Sequence, residues 1–309
     1  MGTPPIAVPA LEYIHNIYGV KLVVTVPDMQ KGRGLKLHSS AVKEKAIELD
    51  IPVLQPSSLS EESFIEHLRS IAPDIIVVFA FRILPKEVYS IARIGAFNIH
   101  TSLLPAYRGA APINWAIVNG EVRTGMTTFL LNDVVDTGNI ILQKYLYIHR
   151  DTTAGDLENE MSNEAGELAV STIQLLESGD YTPIAQSGDS SSAPRIFKKD
   201  TRINWNSLAT EIKCFINGFS PLPTAWTMYG GQKLNIYKAS IPDAMEMNIE
   251  NIGQMQMLGQ FCVSHRRIFV QCNNGVVELL ELQLEGKKRV NAMDFANGLH
   301  LDGGVGKLY

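Results

Sequence analysis

The sequence predicts an α/β fold in which a doubly wound, mostly parallel sheet is followed by a small β-barrel. Through roughly the first 150 residues, short apolar runs alternate with helical patterns, as they do in βαβ units. The last part of the chain instead contains about five short strands between glycine and asparagine turns, which is typical of small barrels. Residues 179–195 have the Ser-, Gly- and Pro-rich composition of a linker. We therefore expect an N-terminal domain over 1–178, a linker over 179–195 and a C-terminal barrel over 196–309.

The expected strands of the N-terminal domain follow from hydrophobic patterning. Residues 20–26 (VKLVVTV) and 74–80 (DIIVVFA) are nearly continuous apolar, β-branched runs, which favour buried parallel strands. Residues 125–131 and 139–148 follow each other without a helix, so they predict an antiparallel edge. The remaining strands of this domain are expected at 51–54 and 95–100.

Helix caps and periodicity predict the helices. Ser39 or Ser40 begins one helix as its N-cap, and Ser60 begins the next. Pro112 lies in the first turn of another helix, which ends before Gly120. The expected helices are 39–49, 60–70, 85–92, 111–119, 154–177 and 207–218, and the C-terminal strands include 225–229, 233–239, 267–272 and 276–282.

Composition excludes several classes of protein. With 309 residues, of which 45% are hydrophobic and 19% charged, the chain is suited to two globular domains and not to global disorder. Its longest strongly apolar run, 75–81, is far too short to span a bilayer, and its N-terminus lacks a secretory signal pattern. The three cysteines Cys214, Cys262 and Cys272 are odd in number and lack metal-ligand spacing, so we expect buried thiols in a reducing cytoplasm.

Charge is distributed unevenly along the chain. The net charge of −5 combines −8 for residues 1–193 with +3 for residues 194–309. A basic C-terminal third on an acidic chain indicates a polyanionic partner for that domain. Dinucleotide-binding, P-loop and zinc-binding motifs are absent from the sequence.

Asn98 and His100 stand at the end of a predicted strand, where open α/β sheets place their ligand crevices. Because side chains alternate along a strand, the amide and the imidazole share one face and can together stabilise charge on a carbonyl oxygen. A satisfied structural histidine is the alternative interpretation. Asp136, in the turn DVVDTG, could orient the imidazole or take a proton, although its carboxylate could equally serve the turn itself.

The combined motifs resemble the folate-dependent formyltransferases, and among them the methionyl-tRNA formyltransferase family. The resemblance rests on NIHTSLLPAYRGAAPI at 98–113 and VVDTG at 134–138, and covers nearly the whole chain in order. Further matching segments are PDMQKGRG at 27–34, FRILP at 81–85, FSPLP at 219–223 and GKKR at 286–289.

The resemblance implies a Rossmann-like formyltransferase domain, an OB-like barrel and a role for each matching residue. Asn98, His100 and Asp136 would form the catalytic site, without any metal. The pocket for 10-formyltetrahydrofolate, a co-substrate, would be lined by Phe81, Arg82, Ile83, Leu84, Ser102, Leu103, Leu104 and Pro105. Initiator methionyl-tRNA would be contacted by Lys31, Arg33, Lys36, Arg195, Lys198, Lys199, Lys287, Lys288 and Arg289. The expected enzyme is a cytoplasmic monomer.

The implied chemistry is formyl transfer to the methionyl α-amine for translation initiation. Asn98 and His100 would hold the formyl oxygen, and Asp136 would orient His100 and help remove the ammonium proton. The alternatives are a sugar-nucleotide N-formyltransferase and a non-catalytic protein that binds folate or tRNA. The basic segments argue against the first, and the intact catalytic triplet argues against the second.

One departure from the family concerns the first β-strand. In the family a strand of about ten residues precedes the turn that matches Gly2, Thr3 and Pro4, and it lies near the middle of the sheet. Here the sequence begins at that turn. We therefore expect an open slot in the sheet, or a neighbouring segment that fills it.

Overall fold

The computed structural model describes residues 1–31, 36–243, 253, 255–299 and 305–309. Two compact units account for the described chain. The first unit comprises Met1–Pro112, Arg123–Tyr147 and Glu158–Ala193, and the second comprises Ile113–Val122, Ile148–Leu157 and Pro194–Tyr309.

Short strands and amphipathic helices alternate in the first part of the chain. In chain order, the strands are β1 (Val23–Val24), β2 (Met29–Lys31), β3 (Lys36–His38), β4 (Val53–Leu54), β5 (Ile75–Phe79), β6 (Gly95–His100), β7 (Arg108–Gly109), β8 (Arg123–Leu130), β9 (Ile140–Tyr147) and β10 (Ser192–Ala193). After a 3-10 turn at Pro5–Ala7, the helices are α1 (Val8–Tyr18), α2 (Ala41–Glu48), α3 (Glu62–Ile71), α4 (Lys86–Tyr89), α5 (Pro112–Val118) and α6 (Ala154–Ser178).

Parallel and antiparallel pairs are mixed in the sheets of the first unit. β1 pairs with β4 and β5 pairs with β6 in parallel, whereas β8 is antiparallel to both β6 and β9. The α/β class and the antiparallel edge predicted from the sequence are therefore confirmed. Parallel pairing is confined to shorter stretches than expected, since β1 has only two residues in its ladder with β4.

A slot separates β1 from β5. Met1 and Gly2 lie at one end of it: the Met1 amine donates to the Val77 carbonyl at 2.7 Å, and the Gly2 N–H donates to the Val24 carbonyl at 3.2 Å. The rest of the slot is a cavity of about 400 Å³ with a largely apolar lining, which includes Ile14, Leu22, Ile75 and Ile173. Of the two outcomes expected here, an open slot or a neighbouring segment that fills it, the structure has the open slot.

The helix ends agree in part with the predictions. Ser40 caps α2 as expected, because its hydroxyl accepts a hydrogen bond from the Lys43 N–H at 3.1 Å. The prediction for Ser60 is wrong, since the N-cap of α3 is Glu61, whose carboxylate accepts from the Ser58 N–H at 2.9 Å. Helix α1 was not predicted.

The second unit is built on an antiparallel sheet with the strand order β11-β12-β15-β14-β13-β17, and β16 pairs with β15. These strands are β11 (Ala225–Tyr229), β12 (Gln232–Ser240), β13 (Gln260–Ser264), β14 (Arg267–Cys272), β15 (Gly275–Leu284), β16 (Val290–Asn291) and β17 (Val305–Lys307). Helices α7 (Ala209–Gly218) and α8 (Ala292–Asn297) and a 3-10 turn (Lys198–Thr201) accompany them. Two backbone hydrogen bonds between Tyr309 and Met228, at 2.9 and 3.0 Å, link the chain after β17 back to β11, so the sheet curls towards a barrel.

Candidate active site

His100 ends strand β6 with its ring almost completely buried. Its Nε2 atom lies 2.9 Å from the carbonyl oxygen of Tyr107. Because a carbonyl only accepts hydrogen bonds, this contact assigns the ring proton to Nε2. Nδ1 is then the nitrogen with a lone pair in the neutral ring, and it is the one that faces the neighbouring carboxylate.

Asp136 is that carboxylate. Its Oδ1 lies 3.9 Å from Nδ1 of His100, and its side chain is only 11% exposed. The other carboxylate oxygen, Oδ2, accepts a hydrogen bond from the Gly109 N–H at 2.9 Å. The sequence left open whether Asp136 approaches His100, and the structure brings the two together.

Asn98 lies two residues before His100 in the same strand and is half-buried. Within the described part of the chain its side-chain amide makes no hydrogen bond, whereas His100 and Asp136 are both held by backbone groups. The amide can therefore donate to a substrate oxygen without first breaking a contact within the protein.

Two glycines allow the loops around this site to approach each other. A Cβ on Gly109 would lie 2.7 Å from the carbonyl oxygen of Ala193, and the residue has a φ of +125°. A Cβ on Gly138 would lie 1.6 Å from the carbonyl oxygen of Leu130. A turn or the start of a helix could by itself accommodate other residues at these positions. The close approaches therefore explain why glycine stands in YRGAA and in VVDTG.

The first predicted folate segment, 81–84, has mixed exposure. Leu84 is buried and Phe81 packs against the same cluster, whereas Ile83 is 74% exposed. Arg82 donates to the carbonyl oxygens of Pro56 and Ser57, at 2.9 and 3.0 Å. Its Nε is buried and has no hydrogen-bond partner within the described residues.

The second predicted folate segment, 102–105, is bound tightly to its own domain. The Ser102 hydroxyl donates to the Ala106 carbonyl at 2.5 Å. Thr127 on β8 donates to the Ser102 carbonyl and accepts from the Leu104 N–H, at 2.7 and 3.0 Å. Leu131 packs against two core clusters, one of which contains Leu84 and the other Leu104.

The predicted tRNA loop lies only partly in the described residues. Lys31 and Lys36 are register partners at the end of the β2–β3 hairpin. Arg33 lies outside the described residues.

Basic side chains of the second unit differ in the contacts that they make within the protein. The Lys198 ammonium donates to the carbonyl oxygens of Pro223 and Thr224 at 2.6 and 3.0 Å, and to Oδ1 of Asn235 at 3.3 Å. Burial of the ammonium and, to a lesser extent, the nearby Lys233 lower the pKa of Lys198 to about 8. Arg289 forms an ion pair with Glu281 and stacks on Tyr237. Lys199, Lys287 and Lys288 are exposed, and Arg195 stacks on the exposed ring of Phe197.

One basic and aromatic cluster was missed by the sequence analysis. The guanidinium of Arg202 and the ammonium of Lys233 lie 5.6 and 4.2 Å from the centre of the Trp226 ring. Trp226 and Lys233 are on neighbouring strands, β11 and β12, and their register partners are Asn235 and Met228. A pairing of these two predicted strands could have found this contact.

The described residues contain neither a metal-binding cluster nor a membrane-spanning helix. No group of three or more His, Cys, Asp or Glu residues there is arranged to hold a metal ion. Likewise, none of the described helices is long and apolar enough to cross a membrane.

Comparison with known proteins connects this geometry to a family. A formyl transferase model matches residues 10–173, and a model of the formyl transferase C-terminal domain matches residues 195–300. The chain is 40% identical to methionyl-tRNA formyltransferase of Chlorobium chlorochromatii, with 98% of this chain and 96% of the relative covered. For the same enzyme of Porphyromonas gingivalis the identity is 41%, covering 97% and 95%, and for that of Clostridium acetobutylicum it is 40%, covering 99% and 97%.

Two solved structures with a similar fold are no more than 21% identical to this chain. WlaRD, a sugar 3N-formyl transferase, matches with a TM-score of 0.66 and 21% identity over 93% of this chain and 97% of that chain. HypX from Aquifex aeolicus, in complex with tetrahydrofolic acid, matches with a TM-score of 0.60 and 16% identity over 83% of this chain and 45% of that chain. These two likenesses concern the fold, whereas the family models and the close relatives concern the whole chain: it belongs to the methionyl-tRNA formyltransferase family.

Proposed function

We propose that this protein transfers a formyl group from 10-formyltetrahydrofolate to the α-amine of methionyl-initiator-tRNA. The observation that carries the proposal is the combination of a buried His100–Asp136 pair with about 40% identity to methionyl-tRNA formyltransferases along the whole chain. The product, N-formylmethionyl-tRNA, serves translation initiation.

His100 and Asp136 are suited to moving the amine's proton. With Nε2–H bound to the Tyr107 carbonyl, Nδ1 accepts the proton that the α-amine loses as it attacks the formyl carbon. The carboxylate of Asp136, 3.9 Å away, stabilises the imidazolium that results. When the bond between the formyl carbon and N10 of the co-substrate breaks, the imidazolium returns its proton to N10, so that tetrahydrofolate leaves and His100 is neutral again. This refines the expectation from the sequence, because His100 acts first as a base and only afterwards, as the imidazolium, as a proton donor.

Asn98 is suited to the formyl oxygen. Its half-buried amide is on the same strand as His100, two residues away, and therefore faces the same side of the sheet. A positioned amide donor stabilises the negative charge that develops on a carbonyl oxygen, an effect of about 3 kcal/mol for one donor in known enzymes.

The folate co-substrate supplies the formyl group, and the residues present fit it. The buried Arg82 Nε–H lacks an acceptor among the described residues, and a polar atom of the co-substrate placed there would relieve the cost of that unpaired donor. We propose that residues 81–84 and 102–105 line this pocket.

We propose that tRNA is bound through the basic segments. The β2–β3 hairpin with Lys31, Arg33 and Lys36 would contact the acceptor end. In the second unit, the candidates are Arg195, Lys198, Lys199, Lys287, Lys288 and Arg289, to which we add Arg202 and Lys233 around Trp226. We further propose that the protein acts as a cytoplasmic monomer.

A formylation assay tests the function directly. The purified protein is incubated with 10-formyltetrahydrofolate and either charged initiator tRNA or a dTDP-linked amino sugar, and formylated product is measured. We expect product only with the tRNA. Product only with the sugar would indicate the sugar-nucleotide enzyme, and product with neither would indicate a binding protein.

A further inference from the structure

The segment before β10 is anchored to the first unit on both sides of Gln186. Ile184 exchanges two backbone hydrogen bonds with Ile140 on β9, at 2.8 and 2.9 Å. Further along, the Ser191 carbonyl accepts from the Arg108 N–H at 2.9 Å, and β10 then pairs with β7 in parallel. Gln186 therefore lies on a stretch of chain that is attached at both ends.

The side chain of Gln186 bridges Arg108 and the turn that carries Asp136. Its Oε1 accepts from Nε and Nη2 of Arg108, at 3.1 and 2.5 Å. Its Nε2 donates to the carbonyl oxygens of Asp136 and Gly138, both at 2.9 Å. Only donors face Oε1 and only acceptors face Nε2, so the orientation of the amide is determined by its partners.

The turn at Asp136 needs such a support from outside. Asp136 has a φ of +57°, in the left-handed region that is unfavourable for a residue with a side chain. Val134 and Val135 in the same turn are 61% and 51% exposed, so they supply little packing. Asn132 and Thr137 hold the turn closed by local hydrogen bonds. From outside the turn, the Asp133 carboxylate accepts from Tyr89 and Lys86, at 2.6 and 3.0 Å, and the Asp136 carboxylate accepts from Gly109. Gln186 adds to these side-chain contacts a hold on the backbone carbonyl groups of Asp136 and Gly138.

We propose that Gln186 is a positioning residue for formyl transfer, which holds the Asp136 turn so that the carboxylate faces Nδ1 of His100. The proposal rests on the proposed roles of Asp136 and His100. Gln186 binds the carbonyl groups of Asp136, the residue with the positive φ, and of Gly138, and Arg108 keeps the amide from rotating. The guanidinium, the amide and the turn thus form one directional chain of hydrogen bonds.

The first test replaces the hydrogen-bonding group and keeps the volume. Gln186→Met is expected to lower kcat about tenfold and to leave KM for tRNA and for folate within about twofold, because misplacing a catalytic group affects the transition state more than ground-state binding. Gln186→Glu keeps the contact with Arg108 but turns an acceptor towards two carbonyl oxygens, so it is expected to be at least as slow as Gln186→Met. Ser187→Ala, at an exposed neighbouring position, is the control and should behave as the wild type.

A double-mutant cycle separates positioning from general structural support. If Gln186 acts through Asp136, Gln186→Met has no further effect on kcat when Asp136 is already alanine, and single-turnover measurements at high enzyme concentration can follow this residual activity. Independent, multiplying effects of the two substitutions would overturn the proposal, as would an unchanged kcat in Gln186→Met. Full activity of Asp136→Ala alone would instead refute the site assignment, and an inactive wild type would refute the proposed function.

Discussion

Nδ1 of His100 and Oδ1 of Asp136 are 3.9 Å apart, while the outer atom of each group, Nε2 and Oδ2, is hydrogen-bonded to the backbone of the 107–109 loop. One short loop therefore orients both members of the pair, through the Tyr107 carbonyl and the Gly109 N–H. The atoms that face each other, Nδ1 and Oδ1, are therefore the two that can accept a proton without losing a hydrogen bond to this loop.

His100→Ala and Asp136→Ala are each expected to lower kcat by at least ~100-fold, the usual scale for loss of a positioned acid–base or oxyanion group. The measurement is steady-state formylation of methionyl-tRNA by variants whose unfolding temperature matches that of the wild type. Normal turnover in either folded variant would remove that residue from the site.

Stability should depend on pH through the Met1 amine. Burial of the amine lowers its pKa from 8.0 to about 5. Between these values the unfolded chain binds more protons than the folded chain, so the free energy of unfolding should rise as the pH increases from about 5 to 8 and fall again on acidification. The slope from this group approaches about 1.4 kcal/mol per pH unit at most.

The measurement is urea unfolding at several pH values on protein whose Met1 is retained, as checked by mass. Nα-acetylated protein, in which the amine does not titrate, is the control and should lack this part of the pH dependence. The same pH dependence in both forms would assign it to other groups.

Filling the slot between β1 and β5 should stabilise the first unit. An added segment of about five β-branched residues before Met1 would continue along both strand edges and bury apolar surface in the cavity, so the unfolding temperature is expected to rise by at least ~5 °C. An extension of equal length made of Ser and Asp is the control. Equal unfolding temperatures for the two extended proteins would contradict the prediction.

Replacing Lys31, Arg33 and Lys36 by Ala should weaken tRNA binding and flatten its salt dependence by a slope of roughly 2–3, near 0.7–0.9 for each lost phosphate contact. Titration against initiator tRNA at several salt concentrations, with folate affinity measured in parallel, provides the test. Equal salt slopes would exclude this hairpin from the tRNA interface. A parallel loss of folate affinity would indicate damage to the domain.

Lys198 and Lys199 should differ although they are neighbours and both are candidate tRNA contacts. Because the Lys198 ammonium bonds three oxygens of the second unit, Lys198→Met is expected to lower the unfolding temperature, whereas Lys199→Met should leave it unchanged. Both temperatures are measured by calorimetry, alongside tRNA affinity. Identical unfolding temperatures for the two variants would show that the ammonium contributes nothing to the fold.

Local sequence patterns predicted correctly the strands and helices that are determined mainly by their own residues. The run 74–80, the strand 95–100 and the capped helix after Ser40 are close to their predicted positions, because burial of β-branched side chains and a side-chain cap are properties of a short stretch. Helix α1 was missed, although Pro9 in its first turn and the apolar pair Ala10 and Ile14, four residues apart, are signals of a helix.

The contacts of the site depend on loops that meet across long sequence separations. Motif resemblance identified Asn98, His100 and Asp136 as candidates, but the distance between the last two depends on how the Gly109 loop accepts the Asp136 turn. Gln186 lies 50 residues from the carbonyl that it binds, in a stretch whose composition is that of a linker. The composition of a stretch indicates its average exposure to solvent. It cannot show that one side chain in it, the amide of Gln186, bridges two other segments.

The attachment of residues 184–193 to β7 and β9 has a consequence for chimeric enzymes. Exchange of C-terminal halves between relatives would ordinarily be made in the Ser- and Gly-rich stretch that begins at residue 179, where a junction is expected to be harmless. A junction there would replace Gln186 and β10 with foreign residues, although both belong to the first unit. A junction after Ala193 keeps the native support of the Asp136 turn, so hybrids joined at 193 should retain chemistry that hybrids joined at 179 lose.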